Sequence, residues 1–367
     1  MSSFGAPEHV RRIQPYSGGP PVEQLARLPG VVRICQLASN ENTAGPSPRV
    51  IAGLAREGTG LGFYPDGGGT ELRRRLADLR GVDPSQVTLG QGSGEVIDLI
   101  CRAFLAPGDR VVVSGLHFIQ YSLSTRLQQG QLIEAPVRAD LSDDPESFAR
   151  AAAGARVVFL ANPNNPTGTY LTAEQLARYF DLVGDDVLTV VDQAYQEYVD
   201  RPDYPDAVRT LRAGRNVMVL GTFSKAYGLA GLRIGYALGP QALIEDLDRV
   251  RAPFNTSVLG QRAALLALDD PEWVLASRER NRREMDRLVA ELERRGVRVT
   301  PSVANFVLAH VGLPAKELAA GLEQRGVLVR ALGFPALRES LRITVGLPEE
   351  NDQLLAALAE LGLPARG

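Results

Sequence analysis

Apolar runs recur along residues 87–239 and alternate with amphipathic stretches. The runs are nearly continuous, which is typical of strands that are covered on both faces of a sheet. They are Val87–Gly90, Arg110–Val113, Gln131–Glu134, Arg156–Leu160, Leu188–Val191, Val217–Leu220 and Arg233–Leu238. The stretches between them predict helices, and one opens with a capping box at Thr172. The pattern therefore predicts an α/β fold with a seven-stranded, mostly parallel sheet between helices, whose tightly spaced last two strands fit an antiparallel edge.

The regions on either side of this sheet have different patterns. Residues 1–45 are rich in Pro and Gly and predict an N-terminal arm that packs with the C-terminal domain or with a partner chain. Residues 46–254 form the large domain. Residues 255–367 begin with a long helix around Pro271–Arg295 and continue with short apolar runs, which predicts a small α+β domain. We expect the active site in the cleft between the domains, at the carboxyl ends of the strands.

Composition argues against several classes of protein. The 367 residues carry 40 Lys+Arg and 43 Asp+Glu, so nothing suggests attraction to nucleic acid or membranes. No apolar stretch approaches the ~18 residues of a membrane helix, and the start of the chain lacks the apolar core of a signal peptide. Cys35 and Cys101 are too few for a disulfide framework and favour a reducing, cytoplasmic setting. The three histidines are too scattered for a metal site.

Lysine is rare in this chain, and one lysine lies in a distinctive segment. Lys225 and Lys316 are the only lysines among the 40 Lys+Arg residues, so arginine provides the surface cations elsewhere. Lys225 lies in Gly221–Gly228, which reads GTFSKAYG. A lysine amine can lose its proton and condense with an aldehyde, which arginine cannot do. This favours a Schiff-base lysine, for which pyridoxal phosphate is the natural aldehyde.

Three further segments could complete a pyridoxal-phosphate site. Gly90–Glu95 (GQGSGE) joins a strand to a helix, and free N–H groups at a helix start suit a phosphate. Asn162–Gly168 (NPNNPTG) follows the buried run that ends at Leu160, where a plain Pro/Asn turn is the alternative. Asp192 ends a buried run, where an acid is either a helix N-cap or a functional group at the ligand edge of the sheet.

In their order and spacing, these segments resemble the fold-type I pyridoxal-phosphate-dependent aminotransferases, and within them the histidinol-phosphate aminotransferase branch. The Asp-x-Ala-Tyr motif that begins at Asp192 and the Gly-Leu-Arg-x-Gly motif that begins at Gly231 belong to the same pattern. The branch is also matched at Leu37–Asn42, Gly45–Pro48, Tyr64–Gly67 and Leu341–Gly346. The resemblance runs from about Pro15 to the C-terminus. It implies an aspartate-aminotransferase-like fold, pyridoxal 5′-phosphate as cofactor and a homodimer with shared active sites.

The resemblance implies a role for each matching residue around the cofactor. Lys225 holds the cofactor and moves protons, Asp192 pairs with the pyridine nitrogen, and Tyr195 and Asn165 bind the phenolic oxygen. Phe118 stacks on the ring, with a plain core aromatic as the less favoured alternative. The implied phosphate cradle consists of Gly92, Ser93, Gly94, Thr222, Ser224 and Arg233.

The resemblance also implies contacts with the substrate and with a partner. Tyr64 reaches the cofactor phosphate of the neighbouring subunit, and Tyr16 closes over the substrate, which Asn165 also contacts. Arg342 and Arg330 bind the substrate anion, and a guanidinium group suits a carboxylate or a phosphate equally well. In so arginine-rich a chain, a structural or solvated role is the alternative for Arg330.

The chain departs from the branch near the expected site, which leaves its reaction open. At five places this chain differs from the residues that are usual in the branch: it has Gly94 where the branch has an acid, Leu116-His117 where it has Pro-Thr, Gln193 where it has Glu, Gly221 where it has Arg, and Thr43 where it has Pro. Its loop at 331–335 is also apolar and shorter. The first hypothesis is an aminotransferase that moves an amino group between a small phosphate- or carboxylate-bearing amine and the keto acid 2-oxoglutarate. The second is a decarboxylase, β-eliminating lyase or oxidative deaminase of specialised metabolism, with His117 as an added acid or base. A non-enzymatic cofactor-binding module is disfavoured, because the lysine is intact and no DNA-binding segment is appended.

Overall fold

The computed structural model describes residues 4–16, 18, 22–25, 27, 29–56 and 61–364, so parts of the predicted N-terminal arm lie outside the described residues. The strands are β1 (Cys35–Gln36), β2 (Val87–Gly90), β3 (Arg110–Ser114), β4 (Gln131–Ala135), β5 (Val157–Ala161), β6 (Leu188–Asp192), β7 (Val217–Thr222), β8 (Gly235–Leu238), β9 (Arg298–Thr300), β10 (Phe306–His310), β11 (Val327–Leu328), β12 (Arg330–Ala331) and β13 (Ser340–Thr344). The α-helices are α1 (Glu8–Arg11), α2 (Val22–Leu25), α3 (Pro48–Leu54), α4 (Thr70–Arg80), α5 (Gly92–Phe104), α6 (Ile119–Leu127), α7 (Pro145–Ala152), α8 (Ala173–Leu182), α9 (Ala207–Arg212), α10 (Gln241–Val250), α11 (Val258–Leu268), α12 (Pro271–Arg294), α13 (Ala315–Glu323) and α14 (Pro348–Glu360).

A seven-stranded sheet organises the larger part of the fold, in the order β2-β8-β7-β6-β5-β3-β4. Strands β3 to β7 pair in parallel, whereas β8 is antiparallel to both of its neighbours, β2 and β7. The predicted α/β fold with a mostly parallel sheet is therefore confirmed. One detail of the prediction is wrong, because the antiparallel strand is not the edge. Strand β2, far earlier in the chain, pairs outside β8, and local spacing carries no information on such a long-range pairing.

Buried strands explain why the apolar runs are continuous. Alternate side chains of a strand point to opposite faces, so both faces of a helix-covered sheet need apolar residues. In β5, Val158 and Leu160 join the core on one face, while Val157 and Phe159 join the core on the other. The same alternation continues across the neighbouring parallel strands. The carboxyl ends of these strands consequently share one edge, where the connecting loops meet.

The C-terminal part of the chain packs around a second, antiparallel sheet. This sheet has the order β12-β13-β10-β9, and it packs with α12, α13 and α14 around its own apolar core. The short strand β1 of the N-terminal segment pairs in parallel with β11. The boundaries at residues 45 and 254 remain a prediction. Within the described ranges, every helix is too short or too polar to cross a membrane.

Gly221 and Tyr236 lie directly opposite each other on β7 and β8. A Cβ atom added at Gly221 would lie 2.2 Å from the Cζ atom of the buried Tyr236 ring. The ring therefore occupies the space above this glycine. Because Tyr236 is enclosed by the core, its ring has little room to move away.

We expect Gly221→Ala to destabilise the fold by about 1–3 kcal/mol through overpacking. The matched control is Gly231→Ala, since a Cβ atom at Gly231 would meet no atom within 4 Å. Thermal unfolding of both variants in the cofactor-loaded state measures the difference. A Gly221→Ala protein as stable as the control would show that Tyr236 can move.

Candidate active site

A cavity of about 940 Å³ opens at the carboxyl ends of the parallel strands. It brings together residues that the sequence places far apart, from the N-terminal segment to β13. The predicted site residues that line it are Tyr16, Ser93, Gly94, Phe118, Asn165, Asp192, Tyr195, Thr222, Ser224, Lys225, Arg233, Arg330 and Arg342. Gly92 lies immediately behind the lining, and Tyr64 lies elsewhere on the surface.

Lys225 lies in the loop that follows β7, and its amine lies inside the cavity wall. Its Nζ atom donates a hydrogen bond to the carbonyl oxygen of Ser39 at 2.9 Å. Burial lowers the pKa of Lys225 to about 7, an effect to which Arg342 adds and which Glu41 opposes. A large fraction of the amine is thus unprotonated at neutral pH, which is the state that attacks an aldehyde.

Asp192 is the last residue of β6 and is only 5% exposed. Its Oδ2 atom accepts a hydrogen bond from the Tyr121 hydroxyl at 2.7 Å, and Oδ1 accepts one from the Ala194 N–H at 3.1 Å. Burial raises the pKa of Asp192, while these two bonds and the Lys225 amine oppose the rise. A carboxylate buried in this way needs a cationic N–H partner, and a protonated pyridine ring provides one.

A phosphate cradle forms where α5 begins. The first N–H groups of a helix have no partner within the helix and attract anions, and the residue before Gly92 makes no side-chain cap. The Arg233 guanidinium lies beside this turn and donates to Gln91 O at 3.2 Å and to Ser224 Oγ at 3.4 Å. Above Gly94 there is open space, since an added Cβ atom would meet nothing within 4 Å.

The loops after β2 and β7 meet at this cradle for a geometric reason. Gly235 at the start of β8 pairs with both Gly90 and Thr222, the last residues of β2 and β7. A Cβ atom at Gly235 would lie 2.5 Å from the N atom of Ser93, so only glycine allows this approach. The Thr222 hydroxyl then lies 3.0 Å from the Ser224 hydroxyl. Backbone N–H groups, two hydroxyls and a guanidinium fit the phosphate of pyridoxal phosphate.

Tyr195 forms the wall of the cavity between Lys225 and the arginines. Its hydroxyl oxygen accepts hydrogen bonds from Asn40 Nδ2 at 2.9 Å and from Asn165 Nδ2 at 3.3 Å. With both lone pairs used, the hydroxyl proton is left to donate to an oxygen atom in the cavity. The Tyr195 ring also packs edge-on against Phe306, with ring centroids 5.3 Å apart. This arrangement suits the phenolic oxygen of pyridoxal phosphate.

Two arginines meet at the other end of the cavity. Arg330 and Arg342 are register partners on the adjacent strands β12 and β13. Arg342 is buried and donates from Nη1 to Asn165 Oδ1 and from Nη2 to Ala38 O, both at 2.6 Å. Its Nε atom is buried without a hydrogen-bond partner in the described part of the chain. Arg330 donates to the hydroxyl of Tyr16 at 3.3 Å, and Tyr16 is 61% exposed at the mouth of the cavity.

Phe118 and Tyr64 have contrasting positions. Phe118 lies on the cavity wall just before α6 and packs edge-on against Tyr121, with ring centroids 5.7 Å apart. Tyr64 does not line the cavity of its own chain. It is 80% exposed and stacks on Phe254 with a centroid distance of 4.6 Å. Its predicted contact with a neighbouring subunit stays a prediction.

Sequence reasoning missed two residues that support the site. Tyr121 lies three positions after Phe118, one turn into α6, and is the hydroxyl donor to Asp192. A buried acid at a strand end needs donors, but the sequence does not indicate which helix supplies them. Asn40 lies in the matched Leu37–Asn42 segment, yet nothing in that motif indicated its bond to Tyr195.

Comparisons with known proteins agree with this geometry. The family model for aminotransferase class I and II matches residues 32–358. A histidinol-phosphate aminotransferase from Geobacillus sp. (strain WCH70) is 40% identical over 356 residues, covering 96% of this chain and 96% of that protein. The crystal structure of histidinol-phosphate aminotransferase from Sinorhizobium meliloti in complex with pyridoxal-5′-phosphate superposes with a TM-score of 0.89 at 29% identity, covering 98% of each chain.

The fold comparison extends beyond that branch. A double mutant of aspartate aminotransferase from Thermus thermophilus superposes with a TM-score of 0.86 at 25% identity, covering 98% of this chain and 100% of that one. Fold, site and comparisons together define a pyridoxal-phosphate-dependent transferase with an aspartate-aminotransferase-like fold. The chain belongs to the class I and II aminotransferase family.

The lowered pKa of Lys225 predicts how the cofactor-free protein captures pyridoxal phosphate. The capture rate should rise as the pH passes about 7 and then level off, because the amine is fully unprotonated above its pKa. The visible absorbance of the lysine-bound cofactor measures this rate, and Lys225→Ala should show no such band. A rate that keeps rising towards pH ~10, as for an exposed lysine, would contradict the expectation.

The hydrogen bond from Tyr121 predicts a shift in the pH dependence of catalysis. Tyr121→Phe removes a bond to the charged form of Asp192, so the pKa of Asp192 rises and the carboxylate is protonated at higher pH. The acidic limb of the kcat profile should move to higher pH, and kcat should fall by about tenfold.

Tyr179→Phe is the matched control for Tyr121→Phe. It removes a buried hydroxyl that bonds Thr189, away from the cavity. Its acidic limb should stay in place. Equal behaviour of the two variants would mean that Tyr121 acts only through general packing.

Proposed function

We propose that this aminotransferase moves an amino group from histidinol phosphate, or a closely related phosphate-bearing amine, to 2-oxoglutarate. The observation that carries the proposal is the pair of guanidinium groups of Arg330 and Arg342 in one cavity with Lys225. The similarity to histidinol-phosphate aminotransferases supports the choice of donor.

The charge of the arginine pair favours a phosphate ester. A phosphate monoester carries close to two negative charges at neutral pH, and two adjacent guanidinium groups can match both charges with several N–H donors. Burial is the main cause of the lowered pKa of Arg342, and the neighbouring Arg330 adds to it, while Tyr195 and Tyr16 oppose it. Each of the two carboxylates of 2-oxoglutarate carries one charge, and in this proposal the carboxylate beside the keto group binds Arg342 alone. The pair therefore suits a donor and an acceptor that carry different anions.

In this proposal, each residue around the cofactor has a separate chemical role. Pyridoxal phosphate, when bound, supplies an electron sink for the negative charge that develops on the substrate carbon. Lys225 removes and returns the proton at that carbon, which its lowered pKa allows near neutrality. Asp192 holds a proton on the ring nitrogen, and Tyr195 donates to the phenolic oxygen. Tyr16 covers the arginine end from the solvent side.

We also propose a homodimer in which Tyr64 completes the site of the neighbouring subunit. An exposed apolar patch of Leu61, Phe63, Tyr64 and Phe254 supports this assembly, because large apolar patches on soluble proteins mark interaction surfaces. The division into an arm, a large domain and a small domain at residues 45 and 254 belongs to the same proposal. A cytoplasmic location is supported by the two buried free thiols.

A single-turnover absorbance trace tests the proposed function. Histidinol phosphate, mixed with cofactor-loaded protein in the absence of a keto acid, should remove the visible absorbance of the lysine-bound cofactor. Added 2-oxoglutarate should restore that absorbance. If the donor is consumed while the absorbance returns unaided, with release of carbon dioxide or ammonia, the protein is a lyase or an oxidase instead.

Arginine variants make the same test specific for the anion. Arg330→Ala should weaken the reaction with histidinol phosphate by about 10- to 100-fold, the cost of lost bonds to a charged group, and affect 2-oxoglutarate far less. Arg342→Ala should impair both half-reactions. Arg338→Ala, at an exposed arginine on the neighbouring segment, should change neither. Equal losses for Arg330→Ala with both substrates would refute a dedicated phosphate contact.

A further inference from the structure

His117 is buried in the cavity wall, where it is only 6% exposed. Its Nδ1 atom lies 2.9 Å from the carbonyl oxygen of Ser114. A carbonyl oxygen only accepts hydrogen bonds, so Nδ1 carries the ring proton. The other ring nitrogen, Nε2, then offers a lone pair when the ring is neutral.

The surroundings keep the ring neutral and fixed. Burial lowers the pKa of His117, with the Ser114 bond and Glu134 acting against the shift and Arg126 adding to it. Ser114 is itself held, because its hydroxyl bonds the buried Asp143 at 2.5 Å and accepts from Leu116 N at 3.2 Å. The carbonyl group of Ser114 is therefore held in place, and its hydrogen bond fixes the ring proton of His117 on Nδ1.

Among the residues that the structure describes, none forms a hydrogen bond with Nε2 of His117. The ring packs edge-on against Phe334 with centroids 5.5 Å apart, and Leu116 and Leu332 complete this apolar part of the wall. In the described part of the chain, Nδ1 is the ring nitrogen of His117 that makes a hydrogen bond to protein. Nε2 is open to the cavity rather than enclosed in the core, so a ligand that donates to it there gains the hydrogen bond.

We propose that His117 is a specificity-determining residue, whose Nε2 atom accepts a hydrogen bond from a ring N–H of the amino donor. The inference rests on the proposed function, in which the donor carries an imidazole ring. Imidazole has such an N–H, whereas a phenyl ring of similar size has none. The apolar wall of Leu116, Leu332 and Phe334 would hold either ring, so the hydrogen bond is what separates them. A site built around one such bond rejects analogues that leave its buried group unpaired.

Matched donors test this bond. Histidinol phosphate is compared with phenylalaninol phosphate, and histidine with phenylalanine, as substrates of the cofactor-loaded enzyme. In each accepted pair, the wild type should prefer the imidazole member by at least about tenfold in kcat/KM. The preference should lie mainly in KM, because the bond is made in the ground state as well as in the transition state.

Two substitutions separate specificity from structure. His117→Asn keeps an N–H near the Nδ1 position for Ser114 but lacks any atom at the Nε2 position. His117→Gln can place its side-chain oxygen near the Nε2 position. We expect His117→Asn to lose the preference and His117→Gln to retain most of it. If His117 only braced the loop through Ser114, His117→Asn would resemble the wild type and His117→Gln would be the impaired variant, which would overturn the proposal.

The outcomes distinguish this inference from the proposed function. Turnover of the amino-acid pair without turnover of either phosphate ester would end the phosphate proposal, and the histidine preference would still decide the role of His117. Equal use of both members of an accepted pair, or no use of any of the four donors, would overturn the inference.

Nitrogen-15 NMR of histidine-labelled enzyme gives an independent readout. The chain has three histidines, so the His117 signal can be assigned by comparison with His117→Asn. We expect an unprotonated Nε2 resonance that shifts when histidinol is added. A protonated Nε2, or a signal that histidinol leaves unmoved, would contradict the proposal.

Discussion

An amine that must be free of its proton at neutral pH has to be kept from water, and this requirement organises the residues around Lys225. Burial is the main cause of its lowered pKa, and the charges nearby act in both directions. Arg342 and Arg233 favour the neutral amine, whereas Glu41 and Asp192 favour the ammonium form. The arginines and the aspartate to which the proposed function assigns the substrate anion and the cofactor ring therefore also alter the pKa of the amine. Substituting any of these charged residues therefore alters the proton affinity of Lys225, in addition to removing the contacts that the substituted residue itself makes.

The departures at Gln193 and Gly221 belong to one buried cluster behind Asp192. Tyr236 occupies the space above Gly221, and Arg80 donates to Gln193 Oε1 at 3.5 Å. Burial raises the pKa of the nearby Glu197 to about 7, and the Arg80 charge opposes this rise. An uncharged Gln193 beside Asp192 avoids adding a second acid to this cluster. The two departures are thus compatible with an intact cofactor site, since neither Gln193 nor Gly221 is among the residues that line the cavity.

Much of the fold and the cofactor site could be predicted from local sequence. Buried strands read as continuous apolar runs, and loops after parallel strands must share an edge, so Asp192, Thr222 and Lys225 were expected together. Pairings between distant segments could not be predicted, because no local pattern encodes them. Strand β2 outside β8 and the bond from Tyr121 to Asp192 are of this kind. The tautomer of His117 likewise depends on a backbone carbonyl and not on its neighbours' side chains.

Arg342 connects the two ends of the cavity. Its Nη1 and Nη2 atoms each donate one N–H, to Asn165 Oδ1 and to Ala38 O, so the second N–H of each atom and the Nε–H remain for an arriving anion. Asn165 also donates to the hydroxyl of Tyr195, which faces the cofactor end. Asn165 therefore links Arg342 to Tyr195 through one hydrogen bond to each side chain. Because Arg342 also lowers the pKa of Lys225, neutralising its charge favours the ammonium form of that lysine. Under the proposed function, the substrate anion and the Lys225 amine are thus coupled through the guanidinium group of Arg342.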